Sequence, residues 1–380
     1  MKKITLFIAA IMASAAMFAE GTLSELFTYT TDQKWNESLF EATKYRDIDE
    51  HNGVLYVLKN GETRIVCLDA QTGEYQCDVN VEGVTGGAIA LSSIQVLSDG
   101  TLLAMNCQIN CSAGDVKVYI WEDITAAPEV LYQGKLDEAL RVDAFKYEGT
   151  LENGAIWTSY SGGTAGTTAK AIKIPITNGI AGEYESYILT NYAMESSSRV
   201  ISVQDNLLYI ACKGALYTWA INDDKSTTIK YYTTLGNIKY TNAVKFFEYD
   251  GVKYFATVSW NSTNGTKPQI LVNSYNSLGR WGASGLSEVF KTPAEGLGGD
   301  VRNTSFFNGL DVVVQENGFA VYMSSINHGL TACQYVFSSG TTTALDNTIV
   351  APQVEKIVRN GQVLIIRDGK TYNMMGQEVK

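Results

Sequence analysis

Apolar and polar positions alternate along most of this chain in short runs separated by polar turns. A period of two over roughly four to eight residues predicts half-buried β-strands rather than helices. The stretch after residue 198 shows the pattern most cleanly. Residues 199–203, 207–212, 215–221 and 229–235 read as four successive strands. Between them lie Gln204-Asp205-Asn206, Lys213-Gly214 and Asn222-Asp223-Asp224-Lys225, all residues that favour tight turns.

One strand type, with an aromatic or aliphatic centre and polar flanks, recurs along the chain. It appears at Leu26-Phe27, Tyr75-Gln76-Cys77, Val130-Leu131-Tyr132, Ser186-Tyr187-Ile188, Tyr231-Tyr232 and Val289-Phe290. The spacing of roughly 45 to 58 residues is that of propeller blades. Three further strand signals precede each later copy. They fall at 45–49, 54–58 and 64–68; at 94–97, 101–105 and 116–121; at 142–147, 154–159 and 169–174; and at 243–249, 252–260 and 269–275. The last set, 304–315, 319–324 and 330–337, lacks a fourth member, which the extra copy near Leu26 supplies. The expected fold is all-β, a six-bladed β-propeller closed by an N-terminal strand, which leaves no open first or last blade. Two β-sandwiches are the alternative, kept open by the irregular spacing.

The ends differ from the repeats. Lys2-Lys3, an apolar run over 4–16 and small residues up to Ala19 have the form of a secretory signal peptide, here 1–19. That run is too short for a transmembrane helix, and no other stretch is long enough, so no transmembrane segment is expected in the mature chain. The propeller then covers 20–340, a linker 341–350 and a short β-hairpin tail 351–380. The tail carries Asn360-Gly361-Gln362, the apolar run 363–366, Arg367-Asp368-Gly369, Tyr372-Asn373 and Gly376-Gln377, with Asp368-Gly369 as the hairpin turn. Over about its last 30 residues the chain resembles the C-terminal sorting signals of Bacteroidetes proteins read by the type IX secretion system, though it is shorter than the fuller signals. The resemblance implies secretion machinery as a partner and a secreted or cell-surface location, or a periplasmic one if the tail does not act as a signal. The blades resemble exported propellers of the same bacteria at the level of fold only, so no activity follows from them.

Composition narrows the function. The 22 tyrosines, 34 glycines and only 5 prolines among 380 residues suit pleated strands and tight turns. A net charge of −11 with no basic stripe excludes nucleic acid as an expected partner. Six cysteines, Cys67, Cys77, Cys107, Cys111, Cys212 and Cys333, are permitted disulfides by export. Cys67 and Cys77 flank a turn and are placed to face each other, and Cys107 and Cys111 to close a small loop. With two histidines in the chain, a zinc site is not expected, and no metal or other cofactor is implied. Neither GxSxG, P-loop, HExxH nor EF-hand patterns occur.

Candidate ligand-binding residues follow from placement. Loops joining second to third strands, at 106–114, 160–168, 260–267 and 325–329, are rich in Gly, Ser, Thr and Asn. They share a face with the connections between blades, and offer Tyr160 and Trp260 as aromatic platforms and His328 as a polar group. Arg46, Arg141, Arg199 and Arg302 each stand at the start of a first strand, so they are expected to converge at one mouth of the channel. There they would either hold an anion through bidentate hydrogen bonds or be neutralised by Asp47, Asp49, Asp143 and Asp300. The expected function is a secreted or surface binding protein for a glycan or a protein. A propeller hydrolase or lyase acting on acidic polysaccharide, and a structural envelope or adhesion protein, are the alternatives.

Overall fold

The computed structural model describes residues 21–30, 45–59, 61–194, 198–212, 215–234, 243–259, 267–275, 286–299, 307–338, 355–359, 362–367 and 370–373. Two compact units divide the chain: Leu23–Val336, and a second of Met1–Thr22 with Phe337–Lys380.

The first unit is a six-bladed β-propeller whose blades are antiparallel meanders. Blade one is Tyr45–His51, Val54–Lys59, Ile65–Asp69 and Tyr75–Asp78. Blade two is Ile89–Val96, Leu102–Cys107, Val116–Trp121 and Glu129–Gly134. Blade three is Phe145–Gly149, Asn153–Ser159, Lys170–Thr177 and Glu185–Ile188, with a short extra strand Ile180–Ala181 beside the third. Blade four is Arg199–Gln204, Leu207–Cys212, Ala215–Ile221 and Thr227–Thr234. Blade five is Val244–Tyr249, Val252–Ser259, Gln269–Tyr275 and Leu286–Thr292. Blade six takes Asn308–Gln315, Gly318–Ser325 and Gly329–Phe337, and Gly21–Thr30 pairs with the last of these as its outer strand. The predicted ring closure is therefore present. In the second unit, Glu355–Arg359, Gln362–Arg367 and Lys370–Asn373 form a three-stranded antiparallel sheet, one strand more than the single hairpin the sequence suggests.

Local chemistry explains the hairpins. The first two strands of blades one, four and five are joined at Asn52-Gly53, Asp205-Asn206 and Asp250-Gly251, and all six residues have positive φ. That is the backbone of a tight hairpin turn matching strand twist, which Asn, Asp and Gly tolerate best.

Burial follows the radius of the ring. Second strands are covered by a blade on either side, so Leu102–Cys107 and Gly318–Ser325 are buried at every position. Outer strands face solvent, as in Tyr75–Asp78, where no residue is buried. Apolar cores fill each gap between blades: Tyr56 and Trp121 between one and two, Met105 and Phe145 between two and three, Trp157 and Trp219 between three and four. Tyr209 and Phe255 fill the gap between four and five, Phe290 and Phe319 stack between five and six, and Phe27 and Tyr45 close six onto one. Each such large side chain contributes about 1.5–3 kcal/mol by leaving water.

First strands are sheet edges at the axis, so their outward N–H groups need acceptors. Side chains of the preceding blade supply them. Glu50 N donates to Asp311 Oδ2 at 2.7 Å, joining blade six to one. Ile94 N and Val96 N donate to Asp47 Oδ2 at 3.1 Å and Asp49 Oδ2 at 2.6 Å, joining one to two. Gln95 accepts from Tyr147 N at 2.8 Å and donates to Tyr147 O at 3.1 Å, joining two to three. Val203 N donates to Glu148 Oε1 at 3.2 Å, joining three to four. These acids and amides hold the blades in register around the channel.

Candidate functional site

At the end of the axis where first strands begin, the arginines and carboxylates meet. Arg46 is 1% exposed and donates from Nη2 to Asp143 Oδ1 at 3.1 Å, and from Nε to Ser92 O at 2.8 Å. Arg141 grips the same carboxylate, its Nε lying 2.8 Å from both oxygens. Ser161 Oγ donates to Asp143 Oδ2 at 3.1 Å. Arg199 forms a bidentate pair with Asp47, at 3.0 and 2.9 Å, and Ser93 Oγ donates to the same Asp47 at 2.7 Å. Phe307 lies under both guanidinium groups, 4.3 Å from Arg46 and 5.4 Å from Arg199. Asp47, Asp143 and Phe307 are all buried, so this network is withdrawn from solvent.

The charges set each other's protonation. Burial opposes the Asp143 carboxylate, but the hydrogen bonds and charge of Arg141 and the charge of Arg46 outweigh it and hold its pKa below the usual range. Burial likewise lowers Arg46, and the Asp143 charge opposes that shift. Burial, then the Asp143 charge, pushes the neighbouring Cys107 thiol up to about 12.

The opposite end of the channel is open. A cavity of about 570 Å³ is lined by Asp49, Glu50, Gln95, Lys146, Lys245 and Asp311 among others, and leads to a chamber of about 50 Å³. Asp49, Gln95, Lys146 and Lys245 line both, so the opening narrows along the axis. Lys245 Nζ lies 2.5 Å from Asp311 and 3.8 Å from Asp49. Asp49 and Asp311 are hydrogen-bonded to each other; burial, then the Asp311 charge, raises Asp49 well above the carboxylate range. Burial opposes the Asp311 charge, but Lys245 holds it low, so Asp49 is the more readily protonated of the two. Burial, then the Lys245 charge, lowers Lys146. Sequence reasoning missed both lysines. Their signal was a repeated string, Ala144-Phe145-Lys146-Tyr147 and Ala243-Val244-Lys245-Phe246.

Of the seven candidate residues, the structure brings together Arg46, Arg141 and Arg199, each with a carboxylate. Only Arg141 keeps substantial exposure, 41% of its side chain. Tyr160 is fully buried, its hydroxyl donating to Asp137 Oδ1 at 2.6 Å and accepting from Glu138 N at 3.2 Å. His328 is also buried, with Nδ1 3.1 Å from Ser325 Oγ and 3.0 Å from Ile326 O. Both brace their loops from below. Trp260 and Arg302, with Asp300, lie outside the described residues. Among the described residues no three His, Cys, Asp or Glu side chains converge as metal ligands.

No protein-family model matches the sequence, and no curated protein matches it. Solved structures do share its fold. A DUF4623 family protein from Bacteroides eggerthii is similar with a TM-score of 0.60 and 14% identity, over 84% of this chain and 76% of that one. A mutant α-L-arabinofuranosidase from Fusarium graminearum, in complex with an iminosugar inhibitor, has a TM-score of 0.52 and 12% identity, over 84% of this chain and 98% of that one. At these identities the likeness is one of fold, and it agrees with the geometry: the chain folds as a six-bladed β-propeller.

Proposed function

We propose that this chain is an exported binding propeller, carried to the cell surface or beyond by its signal peptide and sorting-like tail, and that it holds a glycan on the loop-rich face around Arg141. The observation that carries the reading is how Arg141 is presented. Asp143 fixes its Nε and Nη2, while Nη1 makes no hydrogen bond to oxygen among the described residues, and the side chain is 41% exposed. A guanidinium held in one geometry loses little freedom on meeting a hydroxyl or carboxylate. Loops 106–114 and 160–168 flank it with small polar groups, and Trp260 belongs to the same set of loops. A protein of similar fold, the arabinofuranosidase, was solved with an iminosugar, which favours a carbohydrate over a protein ligand.

Binding is preferred to hydrolysis because the carboxyls at the open mouth, Asp49 and Asp311, are close enough to couple and share Lys245, which leaves no room for a sugar between them. Glycoside hydrolysis needs two carboxyls about 5–5.5 Å apart or farther, with room for the sugar. The test is a glycan array that includes acidic polysaccharides, with product analysis of each hit. Binding without turnover is expected. Turnover would move the protein to the hydrolase or lyase class, and silence on every glycan would overturn the reading.

A further inference from the structure

We propose that Cys67 and Cys77 form a cross-strand disulfide in the oxidised protein. The two residues are direct partners in the pairing of Ile65–Asp69 with Tyr75–Asp78. Val79 N donates to Ile65 O in the same register, which places Cys67 opposite Cys77 at a hydrogen-bonded position of the ladder. Cα atoms at such positions lie roughly 5.5 Å apart, inside the span that a disulfide bridges. As direct partners, the two residues project their side chains to the same face of the sheet. Two of the other cysteines are engaged differently: Cys107 with Asp143, and Cys111 with Gln108 O.

The hairpin keeps the pair in place. Asp69 Oδ1 accepts from Gln71 N at 2.9 Å and Thr72 N at 2.8 Å, and Gly73 N donates to Asp69 O at 2.8 Å. Cys67 is fully buried and Cys77 partly exposed, which sets the order of events. Cys77, as thiolate, attacks one sulfur of an external disulfide and releases the first thiolate. Cys67 then loses its proton, attacks the Cys77 sulfur of the mixed disulfide and releases the second. The protein gives up two electrons and two protons, and the oxidant becomes two thiols. An oxidising compartment supplies that oxidant in the cell, a point resting on the export proposed above; the chemistry itself needs only a defined redox buffer.

The full chain is equilibrated in a glutathione disulfide-rich buffer, quenched with acid, alkylated under denaturing conditions and cleaved after glutamate. Cleavage after Glu62, Glu74 and Glu82 puts Cys67 and Cys77 on the separate peptides 63–74 and 75–82. The expected result is one unalkylated linked species, about 2 Da lighter than the sum of its peptides and separated by reduction. Cys77→Ser should abolish it and leave Cys67 alkylated. Full alkylation of both cysteines in the wild-type chain, or linkage of either to another cysteine, would overturn the proposal. Export plays no part in this test, so a reduced pair there would count against the disulfide alone.

Discussion

Asp143→Asn tests the ionic network at the end of the channel where first strands begin. Asp143 is 3% exposed and serves Arg46, Arg141 and Ser161 at once. Asparagine keeps one acceptor oxygen but turns a donor toward the guanidinium groups and removes the Asp143 charge beside Arg46, which is 1% exposed. Removing one partner of a buried pair costs about 3–5 kcal/mol, and the retained acceptor returns about 1. The partly exposed Arg141 adds little, since such pairs are worth about 0–1 kcal/mol. The expected loss is therefore about 3 kcal/mol, read as a lower urea midpoint at unchanged slope at pH 7. The pH dependence follows from the depressed pKa of Asp143. A carboxyl depressed in the folded state stabilises above its unfolded value of about 3.9, and the benefit is lost as pH falls through the folded value. The gap between wild type and variant should hold from pH 5 to 8, a range above both values, and shrink below about pH 4. A loss under about 1 kcal/mol at pH 7 would mean that water already screens this cluster, and the buried network would be refuted.

At the open end, Asp49→Asn should cost under about 1 kcal/mol, because Asp49 is the more readily protonated of the pair and asparagine can both accept from Val96 N and donate toward Asp311. Asp311→Asn should cost roughly 2 kcal/mol, a buried-pair loss discounted because the Lys245 side chain is 36% exposed; equal urea midpoints for the two variants would contradict the proton assignment. A raised carboxyl gives stability that is full below its unfolded pKa and lost as pH rises through the folded one, so Asp49→Asn should flatten the stability curve above about pH 4. Gly329→Ala should destabilise by roughly 2–4 kcal/mol in thermal melts, since φ is +132° and a Cβ would fall 1.9 Å from Tyr29 O of the closing strand; a neutral result would put that strand elsewhere.

Ring closure was legible because the last repeat is one strand short and the surplus strand near Leu26 has matching composition. The hairpin at Asp205-Asn206 was legible for a local reason: its backbone demands those residues. The stitching by Asp47, Asp49, Gln95, Glu148 and Asp311 was not. Each bonds to a backbone group in the next blade, and that contact depends on how two independent meanders align. Pairing of arginines with Asp47 and Asp143 was foreseen as one outcome, but not that Arg46 and Arg141 would share one carboxylate. Loop composition marks Tyr160 as a surface aromatic, yet Asp137, 23 residues earlier in the chain, draws its hydroxyl inward. The strand Ile180–Ala181 is only two residues long, too short to leave a periodic signal.

The most direct test of the binding account is calorimetric titration of the strongest array glycan into wild type, Arg141→Gln and Gln71→Ala, the last lying in the open mouth at the other end. Each variant is first matched to wild type by its melting curve. A charge-assisted hydrogen bond is worth about 1.5–3 kcal/mol, so Arg141→Gln should weaken binding roughly tenfold or more, with Gln71→Ala unchanged. Wild-type affinity in Arg141→Gln, or loss confined to Gln71→Ala, would contradict a glycan site on the loop-rich face.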